Sequence, residues 1–143
     1  MSGDIFGNLR EWGHVPEQIA ELIETGNLDE HQPGLVRILR YRDNWRLRET
    51  VLKAVGVLRA PSSELLSEIV SIAGDDGVYC EARILAVEAL EHLITRTDTE
   101  HQDDCCTLRR RVAEGLGTLL DSPGPPVLHD TLRKCLIGIH NAQ

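Results

Sequence analysis

The chain has 143 residues and carries 15 Lys and Arg against 23 Asp and Glu, a formal net charge of −8. That balance opposes binding to nucleic-acid phosphate and to anionic membrane surfaces, both of which depend on Lys and Arg. Aromatic residues make up only 3% of the chain, so the core must be built from Leu, Ile, Val and Ala, which suits packed helices better than a β-sandwich.

A chain of this length is expected to form one domain and to bury about 68–70% of its unfolded surface without disulfides or metal. No apolar run approaches the ~20 residues a membrane span requires. Residues 1–30 show no apolar signal core, so a cytoplasmic location is expected. The spacing of Cys80, Cys105, Cys106 and Cys135 fits neither a zinc motif nor a secreted disulfide scaffold, consistent with reduced thiols. Thirteen Arg against two Lys is a composition typical of a GC-rich bacterial genome.

The pattern along the chain is helical throughout. "DIFGNLREW" (4–12) leads into Val15, Ile19, Leu22 and Ile23, with Gly26 where a further apolar residue would continue the stripe. "LVRILRY" (35–41) is followed by a break at Asp43 or Asn44, either able to cap a helix beginning at Trp45. That helix carries Leu47, Val51, Ala54, Val55 and Leu58, one stripe of a 3.6-residue period. Ser62 can cap the next segment, 62–74, and "GDDG" (74–77) reads as a turn. Ala82, Ala86, Ala89, Leu90 and Leu93 then repeat the earlier offsets. A polar stretch, 95–103, is expected to be irregular, followed by a helix over 103–120 and a stop at "SPGPP" (122–126). Leu128, Leu132, Cys135, Leu136 and Ile139 make a further copy of the stripe.

"LRETVLKAVGVL" (47–58) and "ARILAVEALEHL" (82–93) also share Arg48 with Arg83, Ala54 with Ala89 and Leu58 with Leu93. A single hairpin of this size cannot bury its own apolar stripe, whereas stacked hairpins make one continuous core. Four hairpins are expected, near 4–26, 31–59, 62–95 and 103–140, with atypical outer units.

The residues over 43–93 resemble the HEAT-repeat family of armadillo-like α-solenoids, whose second helix reads roughly D-x3-V-R-x2-A-x2-A-L-G-x-L. Asp43, Leu47, Arg48, Val51, Ala54, Val55, Gly56 and Leu58 follow it, as do Ala82, Arg83, Ala86, Ala89, Leu90 and Leu93, although Glu91 replaces the glycine. The resemblance implies an all-α, right-handed α-α superhelix. It also implies structural roles for Arg48 and Arg83 in an Asp–Arg ladder between neighbouring repeats.

Two constellations carry candidate chemistry. His101, Asp103, Asp104, Cys105 and Cys106 are ligand types without ligand spacing, and read as a polar loop entering a helix capped by Asp103 or Asp104, with no metal site. Arg37, Arg40, Arg42, Arg46 and Arg48, with Tyr41 and Trp45 among them, are a candidate anion-binding island. The favoured reading pairs these arginines with Glu17, Glu21, Glu24, Asp29 and Glu30 one hairpin back. "RRR" (109–111) reads as a solvated face, and "GLG" (115–117) lies within a helical pattern, not a dinucleotide loop. No P-loop, G-x-S-x-G or H-E-x-x-H occurs, and the six histidines are scattered, so neither an enzyme nor a cofactor is expected.

In HEAT-like stacks the second helices line the concave face. Opposite the stripe they would present Glu49 and Lys53, then Ile84, Glu88 and Glu91, then Asp130 and Lys134, with Ile84 lacking an obvious core to join. The expected function is non-enzymatic: an adaptor or inhibitor that binds a protein partner on that face. The alternative is a nucleic-acid-binding or DNA-glycosylase-type protein using the Arg37–Arg48 island, a role the HEAT-like resemblance also admits.

Overall fold

Helix starts follow capping chemistry. The Asn44 side-chain oxygen accepts the Leu47 N–H at 3.1 Å, and the Ser62 hydroxyl accepts the Leu65 N–H at 3.1 Å, each satisfying a donor with no partner inside its helix. The computed structural model describes residues 6–7, 9–41, 44–59, 61–75, 77–96, 102–121 and 123–141, with 94–96, 102–109, 111 and 139–141 described by backbone alone. Among these residues every regular element is helical and no strand occurs. The helices are α1 (Val15–Thr25), α2 (Gln32–Arg40), α3 (Trp45–Ala54), α4 (Ser63–Ala73), α5 (Cys80–Arg96), α6 (Gln102–Asp121) and α7 (Pro126–Asn141).

The two ends of the chain's first helix show why it stops where it does. Pro16 sits in its first turn, where a missing N–H costs nothing. Gly26 adopts a left-handed φ of 75°, and the Asn27 N–H returns to the Leu22 carbonyl at 2.9 Å, a Schellman closure. The segment before α1 is a 3-10 helix, Leu9–His14, preceded by Gly7 at φ 66°, in place of the α-helix expected over 4–12. Its Leu9 is buried, as is Phe6, so the short element still covers one side of α1.

The helices pack in two rows. α1, α3, α5 and α7 lie side by side in one, and α2, α4 and α6 in the other; α2–α3, α4–α5 and α6–α7 form the hairpins that cross between them. The stripes read from the sequence face the seam. Leu47, Val51, Ala54, Val55 and Leu58 are all buried, and so are Ala82, Ala86, Ala89, Leu90 and Leu93, and Leu128, Leu132 and Cys135. A buried Leu of this kind contributes about 1.5–3 kcal/mol. The first stripe changes character at its end: after Ala54 the backbone tightens into a 3-10 turn, Val55–Val57. Gly56 lies in that turn against α5, where a Cβ would come within 3.2 Å of the His92 Cβ.

Glycines also set the approach of α4 to α6. A Cβ on Gly115 would meet Val70 Cγ1 at 3.3 Å, and one on Gly74 would meet Leu119 Cδ2 at 2.7 Å. The "GLG" motif is therefore helical, inside α6, and one of its glycines makes room for the neighbouring helix. Gly74 has φ −93°, so close approach rather than a left-handed turn accounts for it.

Candidate functional site

The two recurring arginines are structural. Arg48 is 5% exposed and its Nε donates to the Leu39 carbonyl at 2.8 Å; Arg83 is 7% exposed and its Nε donates to the Ala73 carbonyl at 2.9 Å. Each thus satisfies a carbonyl in the last turn of the first helix of its own hairpin. These two bonds close the turn within a unit, while Asp43, the Asp of the expected ladder between repeats, lies outside the described residues. A guanidinium suits this position, because its charge sits at the negative end of the helix dipole.

Of the remaining members of the arginine island, Arg40 is the one whose ion pairs depart from the expectation. Arg40 pairs forward, at 2.7 Å with Glu68 and 3.2 Å with Glu64, not back toward the acids of α1. Glu68 first, then Glu64, raise the pKa of the Arg40 guanidinium above its ordinary value. Arg37 donates to the Gly7 carbonyl at 2.7 Å, Arg46 is exposed, and Arg42 lies outside the described residues. Tyr41 is half-buried against the core. Trp45 is also half-buried: its ring lies 3.9 Å from the Arg48 Cζ and meets Tyr79 edge-on at 5.1 Å. The Tyr79 hydroxyl donates to Glu49, which ties the start of α5 to α3. Sequence reading missed this Trp45–Tyr79–Glu49 group. Its only signal was two of the chain's five aromatic residues standing at helix starts in adjacent hairpins.

The predicted partner-binding residues come from three neighbours in one row. Glu49 and Lys53 lie on α3, Ile84, Glu88 and Glu91 on α5, and Asp130 and Lys134 on α7. Lys53, Glu88, Asp130 and Lys134 are exposed, and Glu49 and Glu91 half-buried. Ile84 is a correction in detail: it is half-buried and packs against the core cluster, so it has a core to join after all. Asp130 pairs with Arg133 at 3.2 Å one turn along α7. Glu91 reaches α7, its Oε1 lying 3.0 Å from where a Gly138 Cβ would stand.

Cys135 is buried in the α5–α7 seam and its thiol donates weakly to the Val87 carbonyl at 3.8 Å. Burial, aided by the Glu91 carboxylate, pushes the thiol pKa up to about 12, so it is unreactive at neutral pH. The side chains of His101, Asp103, Asp104, Cys105 and Cys106 lie outside the described set; within that set no three His, Cys, Asp or Glu side chains gather around a common point. Among the described residues no helix is long and apolar enough to cross a membrane. No family model, curated protein or solved structure matches this chain.

Proposed function

We propose that the protein is a non-enzymatic HEAT-like module that holds a protein partner on the face formed by α3, α5 and α7. In this reading the two rows wind as a right-handed α-α superhelix with the α1–α3–α5–α7 row on the concave side. The observation that carries it is the row itself, which brings register-equivalent positions of three helices next to one another. Glu49, Ile84 and Asp130 hold one register position, and Lys53, Glu88 and Lys134 another, four residues on. A surface of alternating charges on packed helices is preformed, so a partner would dock with little backbone change. Charge pairing across such a face would chiefly set specificity and association rate.

The arginine contacts weigh against the nucleic-acid alternative. Arg48 is buried on a carbonyl and so does not reach phosphate, and Arg40, though exposed, is already paired with two glutamates that phosphate would have to displace. Titration with labelled duplex DNA at low salt is expected to show no binding; saturable binding there would favour the alternative.

The test of the main reading uses exposed residues only. A bait carrying Lys53→Glu with Glu88→Lys is expected to keep its melting temperature and to lose the proteins that the unaltered bait retains from an extract of the source cells. Equal retention by both baits would remove the α3–α5–α7 face as the docking surface.

A further inference from the structure

The row continues past α3 to α1, and α1 keeps its register. Val15 and Ile19 are buried and Leu22 half-buried, at the offsets of Leu47, Val51 and Ala54 in α3. The two helices also end level. Gly26 and Leu58, equivalent positions, line one cleft, and just beyond it the Asp29 carboxylate accepts the Arg59 backbone N–H at 3.0 and 3.3 Å. Glu17, Glu21 and Glu24 therefore hold in α1 the register positions that Glu49, Lys53 and Gly56 hold in α3. On a 3.6-residue period these positions lie on the side away from the buried stripe, and all three glutamates are exposed.

Adding α1 makes the face strongly acidic, because α1 brings three carboxylates and no cation. Further along the row stand Glu49, Glu88, Glu91 and Asp130, against Lys53 and Lys134 alone, so the face carries five of the chain's eight net negative charges. The flanking register position, held by His14, Arg46, Glu81 and Val127, adds no net charge. Glu17, Glu21, Glu24 and Glu88 are exposed, and none forms an ion pair with a described residue. Asp130 is paired with Arg133, so the unopposed acids gather over α1 and α5. On the other row acids meet arginine: Glu64 and Glu68 of α4 are both held by Arg40 of α2. Anionic lipid and nucleic acid are repelled from the α1–α3–α5–α7 face.

We propose that the partner docking on this face is a Lys- and Arg-rich protein segment that crosses the row, with its cations over the glutamates of α1 and α5 and none over Lys53. This names the partner of the docking face proposed above and rests on that reading. Helix axes in contact stand 8–10 Å apart, so the two acidic helices, with α3 between them, set the cationic groups about 16–20 Å apart. The summed field speeds encounter, and the individual pairs fix orientation. Lys53, exposed on α3 between the two acidic helices, opposes any cation set over it and so fixes the register of the segment.

The probe is a fluorescein-labelled helical peptide of about sixteen residues, about 24 Å long, with lysines clustered at its two ends. Two controls replace the lysines by glutamine or by glutamate. Anisotropy titration is expected to show saturable binding of the lysine peptide alone, weakening as salt rises. Glu21→Lys with Glu24→Lys is expected to weaken it about tenfold and to flatten the salt dependence, at unchanged melting temperature because both sites are exposed. Glu114→Lys with Asp121→Lys, exposed on α6 in the other row, makes the same change in net charge and is expected to weaken it less than about twofold. Lys53→Glu is expected to tighten it about threefold. Absence of lysine-peptide binding overturns the basic partner. Equal losses from the α1 and α6 pairs overturn the site, since net charge alone would then account for the binding. Equal binding of the glutamine peptide, or a dimer in sedimentation that Glu21→Lys with Glu24→Lys dissolves, also overturns it, the latter in favour of a second copy of the chain. Failure of the docking face itself is read separately, as equal retention by the two baits described above, an outcome that no peptide result produces.

Discussion

The α2–α3 and α4–α5 hairpins close themselves, whereas α6–α7 leans on its neighbour. In the first two, a buried arginine one residue into the stripe reaches back to the carbonyl end of its own partner helix, Arg48 to Leu39 and Arg83 to Ala73. The same register position in α7, one residue after Leu128, is His129, half-buried and set beside Gly124. What α7 offers instead is Cys135, whose polar contact goes across the seam to Val87 of α5. A unit in the middle of the stack has an internal tie and two neighbours. Among the described helices α7 has one neighbour in its row, α5, and carries His129 where the central units carry arginine, so more of its stability comes through that interface, as expected of a one-dimensional array.

The sharpest way to break this contrast is to cut the tie. Arg83→Ala leaves a buried carbonyl unsatisfied and removes packed methylenes, so denaturant unfolding is expected to lose about 3 kcal/mol, with Arg48→Ala similar. His129→Ala should cost about 1 kcal/mol or less. Equal losses at all three positions would dissolve the distinction. A second comparison uses one register position in two hairpins. Ile84→Asp places a charge against the core and is expected to cost about 2 kcal/mol, while Asp130→Ala, on an exposed site, should change stability by no more than about 0.5 kcal/mol.

Alkaline pH probes the borrowed seam. The Cys135 thiol has a folded pKa raised to about 12, above its unfolded value, so its contribution is whole below the unfolded pKa of about 8.5 and is lost as pH rises toward the folded value. From about pH 9 upward, stability should fall with a slope approaching about 1.4 kcal/mol per pH unit, and Cys135→Ala should flatten that fall. A slope unchanged in Cys135→Ala would mean that other groups carry it. A local effect concerns the caps of the two central hairpins. Asn44→Ala and Ser62→Ala should each cost about 1 kcal/mol, read as a shift of the urea midpoint.

The parts of the fold legible beforehand are those set by residues close in sequence. Asn44 and Ser62 cap their helices because a β-region residue with a short side-chain oxygen needs only the next three residues to do so. The stripe at Leu47–Leu58 and its echo at Ala82–Leu93 are buried because helix period alone decides which side faces in. The rest depends on how one hairpin is rotated against another. That rotation sends Arg40 to Glu64 and Glu68 rather than to the acids of α1, half-buries Ile84, and joins Tyr79 to Trp45 and Glu49. The 3-10 helix at Leu9–His14 escaped for a different reason: with Gly7 just ahead of it and Pro16 just behind, six residues are too few to propagate an α-helix. For the candidate site, the sequence marked which helices carry Glu49, Ile84 and Asp130, and the packing brings those helices side by side.

The position of Trp45 has an optical consequence. Its indole is wedged at the joint of the two central hairpins, touching a guanidinium and a phenol, while the only other indole, Trp12, belongs to the leading 3-10 turn. Intrinsic emission is therefore blind to fraying that starts at α7 until the loss has travelled inward as far as α5. A gap between a fluorescence melt and a far-ultraviolet dichroism melt would read out directly from which end the stack unzips.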